Sequence, residues 1–190
     1  MALAGKAKTT AATTRKIAFL MKAKTTFAVL AATMAAAASF AFVQHALEDP
    51  EVSSAPDVRF VTVEGRQFST ADLRGKVVLV NFWGTYCGPC LKEMPKVIEA
   101  HRKFAPRGYE TVAIAVRQDE KDKVAAFARE RALPFKVVYD ASGEIAREFG
   151  KVRITPTIFI LDREGRVLAK AVGNPDWQVL QSAVQKALQP

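Results

Sequence analysis

One stretch constrains this 190-residue chain more than any other: Val77-Val78-Leu79-Val80-Asn81-Phe82-Trp83, then Gly84-Thr85-Tyr86, then Cys87-Gly88-Pro89-Cys90 opening a helical pattern. A nearly continuous apolar run of this length reads as a central parallel strand covered on both faces. Parallel neighbours need crossover connections, and the downstream sequence supplies them. Residues 87–105 have helical spacing, with Pro95 as a kink and Gly108 as a stop. Residues 111–116 read as a second buried strand and 119–132 as an amphipathic helix. Residues 135–139 read as a third strand, and 144–149 as a short helix ended by Gly150. A strand over 157–161 opens directly after Pro156; the polar turn 162–166 joins it to a strand over 167–172, completing a hairpin. Asn174 is the expected cap of a last helix, with Pro175 at its first position and its end near Leu188. Ahead of the central strand, residues 58–63 alternate and are followed by Glu64-Gly65, the pattern of a strand and hairpin turn. The expected fold is α/β, a central mixed sheet with helices on both faces.

The chain carries 28 basic and 19 acidic residues, a formal charge of +9. Six of the basic residues fall within the first 24 positions, where there is no acid. Without them the balance is about +3 and evenly spread, which argues against a nucleic-acid partner. The basic stretch is followed by an apolar run over 27–43 broken only by Thr33 and Ser39. A positive segment before an apolar one is the pattern of an export signal or an N-terminal membrane anchor. Ser39-Phe40-Ala41 suits cleavage, whereas the length of the run just suffices to span a bilayer, so both forms stay open. Met21-Lys22-Ala23-Lys24 would itself make a conventional signal-peptide start. The expected organisation is a signal or anchor over 1–43, a linker over 44–56 and one domain over 57–190. The domain is then delivered to the periplasmic side of the cytoplasmic membrane, anchored or soluble after cleavage. Membrane contact is expected only through the N-terminal segment.

Only two cysteines exist, three positions apart. A disulfide across so short a loop removes little entropy from the unfolded chain and is a poor staple. It makes a good redox couple, because opening and closing it needs almost no backbone travel. Cys87 falls at a helix N-terminus, where unsatisfied N–H groups and the helix dipole favour a thiolate. Cys87 is therefore the expected attacking sulfur, and Cys90, one turn inside, the resolving one. Zinc needs about four ligands, and the histidines available are His45 in the linker and His101 far down the helix; no metal site and no cofactor is expected.

Phe82-Trp83-Gly84-Thr85-Tyr86-Cys87-Gly88-Pro89-Cys90, Pro95 five residues on, and Ile154-Thr155-Pro156-Thr157 together resemble the thioredoxin superfamily. Within it, the likeness is to exported TlpA-like and ResA-like disulfide reductases. It spans about residues 56–189, including Asp72-Leu73-Arg74-Gly75-Lys76 and an inserted helix and strand that thioredoxin lacks. The resemblance implies a thioredoxin-like fold with an N-terminal β-hairpin. It also implies a cis Thr155–Pro156 bond against the disulfide, and backbone hydrogen bonds from Thr155 to a substrate chain. Trp83, Tyr86, Gly88 and Pro89 would form the active-site loop, with Trp83 and Phe82 serving mainly as packing. Thioredoxin's buried aspartate is replaced here by Asn81, which cannot accept the proton that Cys90 must lose. Glu93 is the substitute that the resemblance suggests, and a solvated surface glutamate is the alternative. Tyr86 stands where relatives often have tryptophan. Lys92, Lys96, Arg102 and His101 read as the helix's wet surface.

The implied activity is reduction of disulfides in exported proteins, for instance apocytochromes or copper-site proteins, supplied by a membrane electron donor. A disulfide oxidant is the same chemistry run in reverse. A thiol peroxidase is disfavoured by the missing Pro-x-x-x-Thr-x-x-Cys arrangement. A copper chaperone is disfavoured by the cysteine spacing and by the lack of a histidine after His101.

Overall fold

A computed structural model of the chain describes residues 54–189. The proposed signal or anchor and most of the linker lie outside them. Among the described residues no helix is long and apolar enough to cross a membrane.

The elements run β1 (Arg59–Val61), β2 (Gln67–Ser69), β3 (Val77–Trp83), α1 (Gly88–Phe104), β4 (Tyr109–Ala115), α2 (Lys121–Glu130) and β5 (Lys136–Tyr139). They continue with α3 (Glu144–Glu148), β6 (Thr157–Leu161), β7 (Val167–Val172) and α4 (Trp177–Ala187). The main sheet has the order β5-β4-β3-β6-β7. β3, β4 and β5 are parallel, whereas β6 and β7 run antiparallel to their neighbours, so the sheet is mixed.

β3 is buried at every position, as its apolar run requires. Its side chains alternate between two cores. Val77, Leu79 and Trp83 join the cluster roofed by α1, α2 and α4. Val78, Val80 and Phe82 join the opposite cluster, closed by α3 and the β1–β2 hairpin. By the same alternation Asn81 lies on the face beneath α1. The hairpin pairs Phe60 with Phe68, whose rings stack 4.7 Å apart.

Three details differ from the expectations. The final helix is capped by Asp176, not Asn174; the Asp176 carboxylate accepts from the N–H groups of Gln178 and Val179. Asp176 immediately precedes the first helical turn, the place from which a side chain reaches those donors. His101 is half-buried rather than on the surface, its ring 5.5 Å from that of Phe135 and 6.2 Å from that of Tyr109. Burial first of all holds its pKa below the usual value. The chain also joins the domain before the expected end of the linker. Ser54 bridges to Arg166, and the N–H of buried Ala55 donates to the Gly165 carbonyl.

Phe159 is fully buried in the second core, its ring 6.0 Å from Phe82 and 5.6 Å from Phe149. Replacing Phe159 by alanine is expected to cost about 3–5 kcal/mol, read as a lower urea midpoint at constant slope. Val179→Ala, on the exposed face of α4, is expected to stay within about 0.5 kcal/mol of the parent.

Candidate active site

The site forms where β3 hands the chain to α1. Gly84 follows the strand, and a Cβ there would sit 2.9 Å from the Tyr86 ring and 3.4 Å from an Asp119 oxygen. A larger residue at position 84 would require the exposed Tyr86 ring to move aside. The Cys87 N–H donates to the Gly84 carbonyl, closing a tight turn. Asp119, just beyond the end of β4, holds the turn from the side. Its carboxylate accepts from the Thr85 backbone N–H at 2.5 Å and from the Thr85 hydroxyl at 2.8 Å. Asp119 is itself fixed by accepting the Glu120 N–H at 2.8 Å, and its carbonyl takes the Tyr139 hydroxyl at 2.9 Å.

Cys87 is the N-cap of α1, with Pro89 in the first turn, where its missing N–H costs nothing. Cys87 and Cys90 are joined in a disulfide, their Cα atoms 5.2 Å apart. The Cys90 N–H points at the Cys87 sulfur, 3.3 Å away. Cys87 is 7% exposed and Cys90 1%. An incoming group therefore meets Cys87 and not Cys90.

Glu93 lies one helical turn beyond Cys90, on the buried side of α1. It is 4% exposed, and neither carboxylate oxygen has a hydrogen-bond partner. The solvated alternative is thus not what the fold builds. Burial raises its pKa from the usual 4.5 to about 7, partly offset by the charge of Lys96 and by the Trp177 side chain. The Trp177 indole N–H neighbours the carboxylate without reaching hydrogen-bonding geometry. Trp177 begins α4 and shares the core with Trp83, Cys87, Cys90 and Met94. Asn81, 2% exposed beneath α1, leaves its Oδ1 without a partner. The cysteine pair shares a largely apolar core with unsatisfied polar groups, of which Glu93 is the one able to titrate near neutrality. Lys92, Lys96 and Arg102 are exposed on the other side of α1.

β6 runs antiparallel beside β3, pairing Phe82 with Thr157. One residue further on each strand stand Trp83 and Pro156. The Thr155–Pro156 peptide is cis, Pro156 is buried, and Thr155 is half-buried. The Pro156 carbonyl accepts the Gly173 N–H, and the Thr157 hydroxyl donates to the Ile154 carbonyl, so the loop is held at both ends. Tyr86 and Ile154 are more than half exposed on the loops flanking the two cysteines and the cis proline. Partial burial and the Asp119 charge raise the Tyr86 phenol pKa.

The fold brings together Trp83, Tyr86, Gly88, Pro89, Cys87, Cys90 and Glu93 on one strand–loop–helix unit, with Thr155 and Pro156 on the neighbouring strand's lead-in. Two contributors were not picked out in the sequence. Asp119 had one usable signal, its place just after the carboxyl end of a parallel strand, where sites in such sheets assemble. Trp177 had none, since its approach to Glu93 arises from the packing of α4. Among the described residues no group of three histidine, cysteine, aspartate or glutamate side chains could hold a metal ion.

A disulfide at the N-terminus of the helix that follows the central strand of a mixed sheet, with a cis proline at the entry to the neighbouring strand, defines the thioredoxin class of protein. The chain belongs to the Redoxin family, which it matches over residues 50–188. It is 35% identical over 133 residues to the thiol-disulfide oxidoreductase ResA of Bacillus thuringiensis subsp. konkukian, covering 70% of this chain and 75% of that one. With ResA of Bacillus subtilis it shares 34% identity over 123 residues, 65% of this chain and 68% of the other. Among solved structures, a thioredoxin-family thiol:disulfide interchange protein from Chlorobium tepidum superposes with a TM-score of 0.65 at 32% identity, covering 73% and 97% of the two chains. The protein is accordingly a ResA/TlpA-like thiol–disulfide oxidoreductase.

The raised Glu93 pKa carries a sign for stability. Below pH 4.5 the group is neutral in both folded and unfolded chains and costs nothing. As pH rises toward about 7 the unfolded chain ionises first, so the folded state loses stability, and above that the loss is constant. Glu93→Gln removes this loss. In the oxidised protein, the stability difference between variant and parent should shift in the variant's favour by on the order of 2 kcal/mol between pH 4 and pH 8, measured by urea unfolding.

Proposed function

We propose that the protein is a reductase of disulfides in exported proteins, held or released on the periplasmic side of the membrane by its N-terminal segment. Its Cys87–Cys90 pair would be re-reduced by a membrane dithiol donor. Disulfides of apocytochromes or of a copper-site protein are the substrate classes that suit this reading. The observation that carries it is the stacking of roles along one turn of α1. Cys87 caps the helix with the Cys90 N–H aimed at its sulfur, and a buried carboxyl titrating near pH 7 lies one turn below.

In the dithiol form the helix N-terminus and the Cys90 N–H stabilise a Cys87 thiolate. The thiolate attacks one sulfur of the substrate disulfide. The substrate S–S bond breaks, its second sulfur leaves as a thiolate that takes up a proton, and Cys87 holds the first in a mixed disulfide. Glu93, ionised, accepts the proton of Cys90, which then attacks the Cys87 sulfur; the bond from Cys87 to the first substrate sulfur breaks, and that sulfur leaves as a thiolate that takes up a proton. Two electrons and two protons pass to the substrate, and the Cys87–Cys90 bond is restored. Tyr86, Thr155 and Pro156 would border the substrate strand, with Trp83 packed beneath it. Asn81 cannot take the proton, which leaves Glu93 as the base.

Cys87→Ser is expected to abolish turnover of a protein disulfide. Cys90→Ser should accumulate a mixed disulfide through Cys87, visible by mass spectrometry. For the parent, the rate of resolving that intermediate should rise with pH through about 7 and then level, because Glu93 acts in its ionised form. Glu93→Gln should lose this inflection and slow resolution by about 10²-fold. A mixed disulfide that resolves equally fast in Glu93→Gln would remove the carboxylate from the mechanism.

A further inference from the structure

The carboxyl ends of β3, β4 and β5 share one edge of the sheet, and the disulfide occupies the β3 position on it. At the same end of the sheet a pocket of about 440 Å3 has Arg117, Gln118, Arg147, Lys151 and Arg153, all exposed, in its lining. Three separate segments bring these cations together. Arg117 leaves the end of β4, Arg147 lies on α3, and Lys151 and Arg153 lie on the lead-in to Thr155–Pro156. Both ends of the cluster are tied to the site. Arg117 stands two residues before Asp119, which grips Thr85, and Arg153 stands two residues before Thr155.

The nearby acids neutralise Arg147 and leave the other three cations of the cluster unpaired among the described residues. Glu144 and Glu148 both engage Arg147. Asp140 is buried and accepts the N–H groups of Ile145 and Ala146, and Asp119 is committed to Thr85 and Glu120. Glu120 pairs with Lys123. Among the described residues Arg117, Lys151 and Arg153 have no carboxylate partner. The arrangement is also held in place. The Arg117 side chain lies over Gly143, where a Cβ would meet its Cδ at 2.9 Å, so the glycine leaves room for the arginine stem. Lys151 sits at φ +55°, its N–H bonded to the Arg147 carbonyl.

Arg117, Lys151 and Arg153, like charges that share one pocket, raise the local concentration and on-rate of an oppositely charged partner. We infer that this pocket is a docking surface for an acidic polypeptide segment of the protein partner, one carrying two or more carboxylates near its reacting cysteine. The surface selects which disulfides reach Cys87; it takes no part in the exchange itself. The inference rests on the oxidoreductase reading above.

The test uses the full chain in its dithiol form and two short disulfide-containing peptides of equal length, one flanked by Asp and Glu and the other by Asn and Ser. Second-order rates of peptide reduction are measured at low salt and in 0.5 M NaCl, the latter chosen to cut the Debye length to about 4 Å. The parent should reduce the acidic peptide about tenfold faster at low salt, with the preference falling to within about twofold at high salt. The combined variant Arg117→Ser, Lys151→Asn, Arg153→Ser should lose the preference and keep the parent's rate on the neutral peptide. Equal rates for both peptides with the parent, or a preference that survives high salt or the triple substitution, would overturn the docking surface while leaving the oxidoreductase intact. Failure to reduce either peptide would overturn both.

Discussion

Everything in this molecule depends on how β3 ends. A strand buried on both faces must be followed by a tight turn if the next helix is to pack back over the sheet, and the turn here is pinned by Asp119 through Thr85. The pinning leaves Cys87 as the helix cap and aims the Cys90 N–H at its sulfur. A loop free to drift would lose that alignment, and with it the thiolate stabilisation on which the proposed exchange depends. The same register places the entry to β6, with its cis proline, beside the end of β3.

Below the sulfurs the physics is that of exclusion. Met94, Trp83 and Trp177 share the core cluster of the cysteines, and the Glu93 carboxylate and the Asn81 Oδ1 find no hydrogen-bond partners. An unsatisfied buried carboxyl is costly to folding, which is why its pKa rises. The same cost makes it useful to a thiol that must give up a proton near neutral pH. Stability and the proposed chemistry therefore pull in opposite directions at Glu93. This is the trade expected where a fold reserves a titratable group for a task.

Much of this was legible in the sequence, because the deciding signals are local. The apolar run of β3, the Cys-Gly-Pro-Cys turn and the alternation of strands with helices are all read within windows shorter than about 20 residues. They place the pair at a helix start without any knowledge of tertiary structure. What was not legible depends on elements distant in sequence. Whether Glu93 faces water or core is decided by α4, some 80 residues downstream, whose Trp177 closes that side. Asp119 reads as the beginning of a helix until β4 is known to lie beside β3, 34 residues from the threonine it holds. His101 looked like a surface residue because nothing near it in sequence announces Phe135 and Tyr109. Asn174 and Asp176 are both good caps, and only the start of the helix at Trp177 separates them.

The measurement closest to the central claim is the equilibrium potential of the Cys87–Cys90 couple in the full chain, titrated against a thiol buffer and read by alkylation. A protein that reduces exported disulfides should sit at or below about −270 mV, the region of thioredoxin. A value near about −120 mV, that of a strong oxidant, would contradict the direction of electron flow proposed here and make the protein a disulfide donor working through the same two sulfurs.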